Sequence, residues 1–167
     1  MNAAKEDVFD ITPKPQQVTR EEAVSNIFEL ERAIQAEPES FGKESAHFSY
    51  HHWFAPKLYG REITIPADTI LTTEIHASEH IAFLLKGAIT VYTEKGLEYM
   101  EAPMTMITKV GTKRAMVAHG EVVFTTVHHN PADERDIDAL VDMLTFKDEG
   151  AYQIHLEHQS KIEAKKP

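Results

Sequence analysis

Residues 69–92 read TILTTEIHASEHIAFLLKGAITVY, and the way apolar side chains fall in this stretch decides the fold class. Thr69–His76 alternates in a period of two. His80–Leu85 does so again, Gly87 permits a turn, and Ala88–Tyr92 resumes the alternation. A period of two places successive side chains on opposite faces of a strand, the signature of a sheet with one face in a core. Working outward, Arg61–Ile65 closes on Pro66, Glu94-Lys95-Gly96 makes a hairpin tip, and Glu98–Glu101, Thr105–Lys109, Arg114–His119 and Glu121–His128 follow. Short strands at even spacing with Gly and Pro punctuation predict a sandwich or barrel from about residue 48 to residue 130.

Helical patterning flanks this region. Thr19 and Glu22 have capping-box spacing, and Val24, Ile27, Phe28, Leu30 and Ile34 recur on one helical face until Pro38. Beyond Asn130-Pro131, Asp133 or Asp136 is positioned to cap a short helix striped by Ile137, Leu140, Val141 and Leu144. Ala151–His158 reads as an edge strand, and Lys161 to Pro167 as a solvated tail. The expected organisation is an arm and helix over 1–47, a barrel over 48–130 and a helix and tail over 131–167, all in one domain, as 167 residues suggest.

Composition narrows the function classes. A formal net charge of −10 repels phosphate backbones and argues against general nucleic-acid binding. There is no cysteine, so thiol catalysis and disulfides are excluded. No apolar run has the length of a membrane span, and residues 1–10 lack the apolar core of a secretory signal. No Gly-rich phosphate loop or Gly-x-Ser-x-Gly elbow is present. Any chemistry falls to metal ions or to His and Glu acid–base work.

The densest chemical signal among the ten histidines is Glu74-Ile75-His76-Ala77-Ser78-Glu79-His80. On a continuous strand Glu74 and His76 share a face, and His80 returns to that side across a tight turn. His128, in step with Phe124 and Thr126, closes the last strand and would join His76 and His80 if that face is interior. Two readings stand. One is a site for a divalent Fe, Mn, Ni or Zn ion, held by His76, His80 and His128 or with Glu74. The other is a structural cluster of hydrogen-bonded polar groups. Lys113 and Arg114 beside Gly111 form a cationic turn that would either orient a small anionic ligand or bridge to Glu62, Glu74 or Glu79. Tyr50, Trp53 and Phe54 are expected in the core; the rival is a pocket wall or an interface.

These residues resemble the cupin superfamily, whose first motif runs Gly, five residues, His-x-His, three or four residues, Glu, six residues, Gly. Asp68, Glu74, His76, His80 and Gly87 stand at those positions, so the spacing is kept while ligand types are exchanged. Of the second motif only Gly111 remains. Arg114 stands where a further ligand is expected, and a guanidinium offers no lone pair to a cation. The resemblance implies a jelly-roll barrel with an N-terminal helix and a short C-terminal helix. More narrowly, Trp53–Pro56, Tyr59–Ala67, His76–His80, Gly111–Arg114 and Val123–His128 resemble small cupin-like proteins of tailed bacteriophages. That likeness implies a structural or accessory phage protein, a homo-oligomer in the host cytoplasm or in the virion among other virion proteins. The alternatives are a metal-dependent isomerase or oxygenase acting on a small anionic substrate, and a non-catalytic binder of a small molecule.

Overall fold

The computed structural model describes residues 18–40 and 46–163. In chain order the elements are α1 (Arg20–Ala36), β1 (Ser49–Ala55), β2 (Leu58–Ile65), β3 (Ile70–Thr72), β4 (Ile75–His76), β5 (His80–Lys86), β6 (Ala88–Thr93), β7 (Gly96–Glu101), β8 (Met104–Thr108), β9 (Ala115–Ala118), β10 (Val122–His129), α2 (Ile137–Leu144), β11 (Thr145–Phe146) and α3 (Glu149–Glu163). A five-stranded antiparallel sheet in the order β1-β2-β10-β5-β8 faces a four-stranded one in the order β3-β9-β6-β7, and β4 pairs with β11. The result is the jelly-roll barrel expected from the period-two stretches.

The core between the sheets is built from every second residue. Ile65, Ala82, Leu84, Ile89, Val91, Met116, Ala118, Val122 and Phe124 form one buried cluster. Their burial supplies most of the driving force for closing the barrel. The β5–β6 turn requires Gly87, whose φ of +82° is left-handed and whose missing Cβ would run into the Glu121 carbonyl.

The N-terminal helix forms as its sequence predicts. Glu22 N–H donates to Thr19 Oγ1 at 3.1 Å and Thr19 N–H donates to Glu22 Oε2 at 2.9 Å, closing the capping box. Val24 and Ile27 are buried against the barrel, while Leu30 is partly exposed. Asp136 caps α2 by accepting from Ala139 N–H, and Leu140 and Leu144 carry its buried stripe.

Three expectations need correction. The segment Ala151–His158 is not an edge strand but the middle of α3. Tyr152 is buried with Val24 and Ile75, and Phe146 packs on both Tyr152 and His155, a three-residue spacing that a helix satisfies and a strand does not. The stretch Thr69–His76 is not one strand. It breaks at Thr73 and Glu74: Thr73 N–H still donates to the Arg114 carbonyl in register, but Arg114 N–H donates to the Thr73 hydroxyl Oγ1 and the ladder ends. Trp53 is not core. It is 56% exposed on the outer face of β1, with its ring 4.1 Å from that of His51, while Tyr50 and Phe54 point inward.

Trp53 heads a row that crosses the whole five-stranded sheet. The register pairs Trp53 with Gly60, Gly60 with Val127, Val127 with Ile81, and Ile81 with Ile107. Trp53, Ile81 and Ile107 are all exposed. Among the described residues no helix is long and apolar enough to cross a membrane.

Candidate functional site

The strand register brings the histidines together. His80 opens β5, His128 lies near the end of β10, and His76 ends β4. Their rings form a chain, His76 to His80 at 4.6 Å between centroids and His80 to His128 at 4.2 Å. His80 and His128 are buried. His76 is fixed by its backbone: its N–H donates to the Thr112 carbonyl at 3.0 Å, and its carbonyl accepts from Gly111 N–H at 2.8 Å.

The hydrogen bonds set the tautomers. His80 Nδ1 lies 3.1 Å from the Ser78 carbonyl, which can only accept, so Nδ1 carries the hydrogen and Nε2 of the neutral ring is a bare lone pair. His128 Nε2 lies 2.9 Å from Thr126 Oγ1, and that hydroxyl donates its own hydrogen to the Arg61 carbonyl at 3.4 Å. His128 Nε2 is therefore the donor and Nδ1 the lone pair. Both lone-pair nitrogens, His80 Nε2 and His128 Nδ1, are buried without a hydrogen-bond partner among the described residues.

The rings are held neutral. Burial first, then the charges of His80, Arg114, His128 and Arg61, pushes His76 from 6.5 down to about 2. Burial, then His80 and Arg61, pushes His128 down to about 3. Burial also lowers His80, with Arg114 adding to it and the Ser78 hydrogen bond opposing it.

The histidines adjoin a cavity of about 390 Å³. His76, His128, Arg61, Arg114, Glu74, Glu31 and Thr126 are among its polar residues, and Phe48, Tyr50, Ile63, Met116 and Phe124 provide much of its apolar wall. Residues of α1 and α2, including Ile34, Val141 and Leu144, reach the same space. Arg114 is buried and donates from Nη2 to Thr108 Oγ1 at 2.8 Å, and burial lowers its pKa against the raising influence of Glu94 and Glu98.

Of the residues singled out from sequence, His76, His80, His128, Glu74 and Arg114 gather in or against this cavity. Lys113 does not line it. Its Nζ is buried on the other side of the turn, donating to Glu31 Oε2 at 3.0 Å and the Thr73 carbonyl at 2.7 Å, over the Phe28 ring. The expected anion-binding lysine instead ties the turn to α1, and its acid partner is Glu31 rather than Glu62, Glu74 or Glu79. Successive residues of a turn diverge, which is why Lys113 and Arg114 separate.

Arg61 was missed by the sequence reading. Its guanidinium lies 4.8 Å over the Tyr50 ring and lines the cavity. The available signal was its register: an arginine in step with Ile63 and Ile65 is on the apolar, inward face of β2.

The donor types suit a borderline divalent ion, which takes neutral imidazole nitrogens whose second nitrogen is hydrogen-bonded. His80 and His128 meet that description, and among the described residues their two lone pairs have no other partner. Among the described residues no three His, Asp or Glu side chains already form a group that could hold a metal ion.

A jelly-roll barrel closed over such a histidine-lined cavity is a cupin fold. No family model matches the sequence, and no curated protein matches it. Among solved structures, a salicylate 1,2-dioxygenase from Pseudaminobacter salicylatoxidans is similar with a TM-score of 0.51 at 14% identity, over 78% of this chain and 37% of that one. KdgF from Halomonas sp. is similar with a TM-score of 0.47 at 12% identity, over 59% of this chain and 90% of that one. Hydroxypropylphosphonic acid epoxidase from S. wedmorenis has a TM-score of 0.42 at 16% identity, and this chain spans about half its length, 52% of each being covered. At such identities the likeness is one of fold.

Proposed function

We propose that this barrel is a metal-dependent enzyme acting on a small anionic substrate. His76, His80 and His128 hold one divalent transition metal, Fe, Mn, Ni or Zn, and Arg114 orients the substrate anion. The observation that carries the reading is the pair of buried, bare nitrogens, His80 Nε2 and His128 Nδ1, on rings 4.2 Å apart. A buried polar atom without a partner costs on the order of 1–3 kcal/mol, and a shared cation removes that cost for both at once.

The chain's own residues perform the remaining tasks. Ser78 and Thr126 fix the two tautomers. Burial and neighbouring positive charge keep the three imidazoles unprotonated. The aromatic and aliphatic wall excludes water, which strengthens the pull of Arg114 on an anion. A bound divalent ion would add Lewis acidity toward that anion.

The test is metal analysis of the purified protein by inductively coupled plasma mass spectrometry, before and after dialysis against Fe(II), Mn(II), Ni(II) and Zn(II). About one equivalent is expected, lost in His80→Ala and His128→Ala. Protein that takes up none of the four ions counts against the reading and leaves the non-catalytic binder.

A second reading concerns assembly. The row Trp53, Gly60, Val127, Ile81 and Ile107 runs uncharged across the width of the outer face of the five-stranded sheet in a chain with net charge −10. A two-fold axis through that row would pair it with itself in a second copy, as an isologous interface requires. This favours the homo-oligomer that the phage resemblance implies, with the phage and virion assignments resting on that resemblance alone. Light scattering of the wild type and of Ile81→Lys tests it: a dimer or larger that dissociates in the variant supports it, and a wild-type monomer removes it.

A further inference from the structure

The proposed function uses one cation for the substrate, but among the described residues two line the cavity. Arg61 projects from β2 in the five-stranded sheet, and Arg114 stands at the start of β9 in the four-stranded one. Both line the same space. Neither forms an ion pair with a described residue: Arg114 donates to the Thr108 hydroxyl and Arg61 lies over the Tyr50 ring. Two carboxylates also reach the lining, but Glu31 is engaged by Lys113 at 3.0 Å and by Thr72 Oγ1 at 2.9 Å. Glu74 is the other, and one carboxylate cannot balance two guanidiniums.

A guanidinium stays protonated under ordinary conditions and cannot escape burial by losing its charge. Two of them around neutral imidazoles leave an excess of positive charge in a space with an apolar wall. A single carboxylate can form a bidentate pair with only one of the two guanidiniums. Bidentate pairing to an oxyanion offsets each guanidinium best. Phe48, Ile63, Phe124 and Met116 make one side of the wall apolar and suit an apolar body there, while Thr72, Thr73, Thr126 and Thr145 are among its neutral polar residues.

We infer that the cavity takes a small dianion with an apolar body, gripped by Arg61 and Arg114 together, its charge carried on two carboxylates or on one phosphoryl group. This rests on the proposed function only for placing the ligand beside the histidines; the grip itself needs no metal.

Isothermal titration of the full chain at pH 8 with isophthalate, phenylphosphate and benzoate tests it, once in EDTA and once after metal loading. At least one dianion is expected to bind tenfold or more tighter than benzoate in EDTA, with isophthalate favoured if the charge is split and phenylphosphate if it is concentrated. Arg61→Gln is expected to bring that dianion to within threefold of benzoate, and Arg61→Lys to recover part of the difference. Arg114→Gln adds a second arm, and Arg61→Gln keeps the test decisive if the Arg114 variant fails to fold. Benzoate binding as tightly as both dianions, no binding of either dianion, or an unchanged dianion affinity in Arg61→Gln would each overturn the inference. Protein that binds no metal but prefers a dianion in EDTA defeats the metal reading and leaves this one standing.

Discussion

Gly111 donates its backbone N–H to the carbonyl of His76 at 2.8 Å, so the turn that leads to Arg114 and the strand that carries His76 are one unit. That turn is in turn clamped from outside. Arg20 Nε donates to the Gly111 carbonyl at 2.9 Å, its guanidinium lies 4.0 Å over the Tyr152 ring, and it pairs with Glu149 at 2.8 Å. Helices α1 and α3, distant in sequence, thus set the position of two cavity groups.

Gly111 has a φ of +79°, and a Cβ there would collide with the Tyr152 ring. Gly111→Ala is expected to lower stability by about 1–3 kcal/mol, from left-handed strain plus displacement of Tyr152. It is also expected to weaken metal uptake, because His76 loses its anchor. Denaturant midpoints and metal stoichiometry read the two effects, and a variant as stable as wild type would show the turn is free to relax.

Lys113 is buried with its charge against Glu31. Lys113→Met strands that carboxylate and is expected to cost about 1–3 kcal/mol, less than a fully buried pair because Glu31 keeps some solvent contact. Glu31→Gln with Lys113→Met is expected to recover part of the loss. In the double variant anion affinity, measured by titration, is expected to be at least that of the wild type, since Lys113 lies outside the cavity wall and Glu31, which lines it, loses its charge. A drop in anion affinity with intact stability would return Lys113 to the site.

The bare nitrogens predict an inverse relation between stability and function. In EDTA, His80→Phe or His128→Leu removes an unpaired buried polar atom and is expected to raise the unfolding free energy by about 1 kcal/mol or leave it unchanged. The same variants lose metal. Strong destabilisation of both in EDTA would mean that the imidazoles are structural, the hydrogen-bonded polar cluster of the alternative sequence reading.

Acid should unfold the metal-free protein early. An unfolded histidine takes a proton near pH 6.5, whereas folded His128 and His76 resist until about 3 and about 2. Above pH 6.5 neither the folded nor the unfolded chain protonates these rings, so they add nothing to the pH dependence there. As pH falls below that value the unfolded chain gains protons that the folded chain refuses, and stability drops until the folded values are reached. Each ring contributes up to about 1.4 kcal/mol per pH unit. Between pH 7.5 and pH 5 in EDTA, a loss of about 2–4 kcal/mol is expected from guanidinium unfolding, and a flat profile over that interval would contradict the burial of the two rings.

The barrel was legible because alternation is local. Each strand shows its inward face in its own residues, and Gly87 and the Thr19–Glu22 box mark their turns and caps by chemistry that acts over a few positions. His76, His80 and Arg114 were legible for the same reason, with spacing close to a known motif. The break at Thr73 was not, since it depends on Arg114, 41 residues away, giving its N–H to the Thr73 hydroxyl. Helix α3 was misread because its stripe is sparse and its burial is supplied by Val24 and Ile75 from elsewhere in the chain.

The sequence by itself determined which side chains share a face, and therefore that a closed sheet would put histidines and an arginine inside. Only the tertiary structure decided which of the neighbouring cations, Lys113 or Arg114, enters the cavity, that Arg61 joins it from the opposite sheet, and that two imidazole nitrogens end with no partner among the described residues. Those outcomes depend on competition for hydrogen bonds and charge among groups far apart in the chain, and no local pattern encodes who wins.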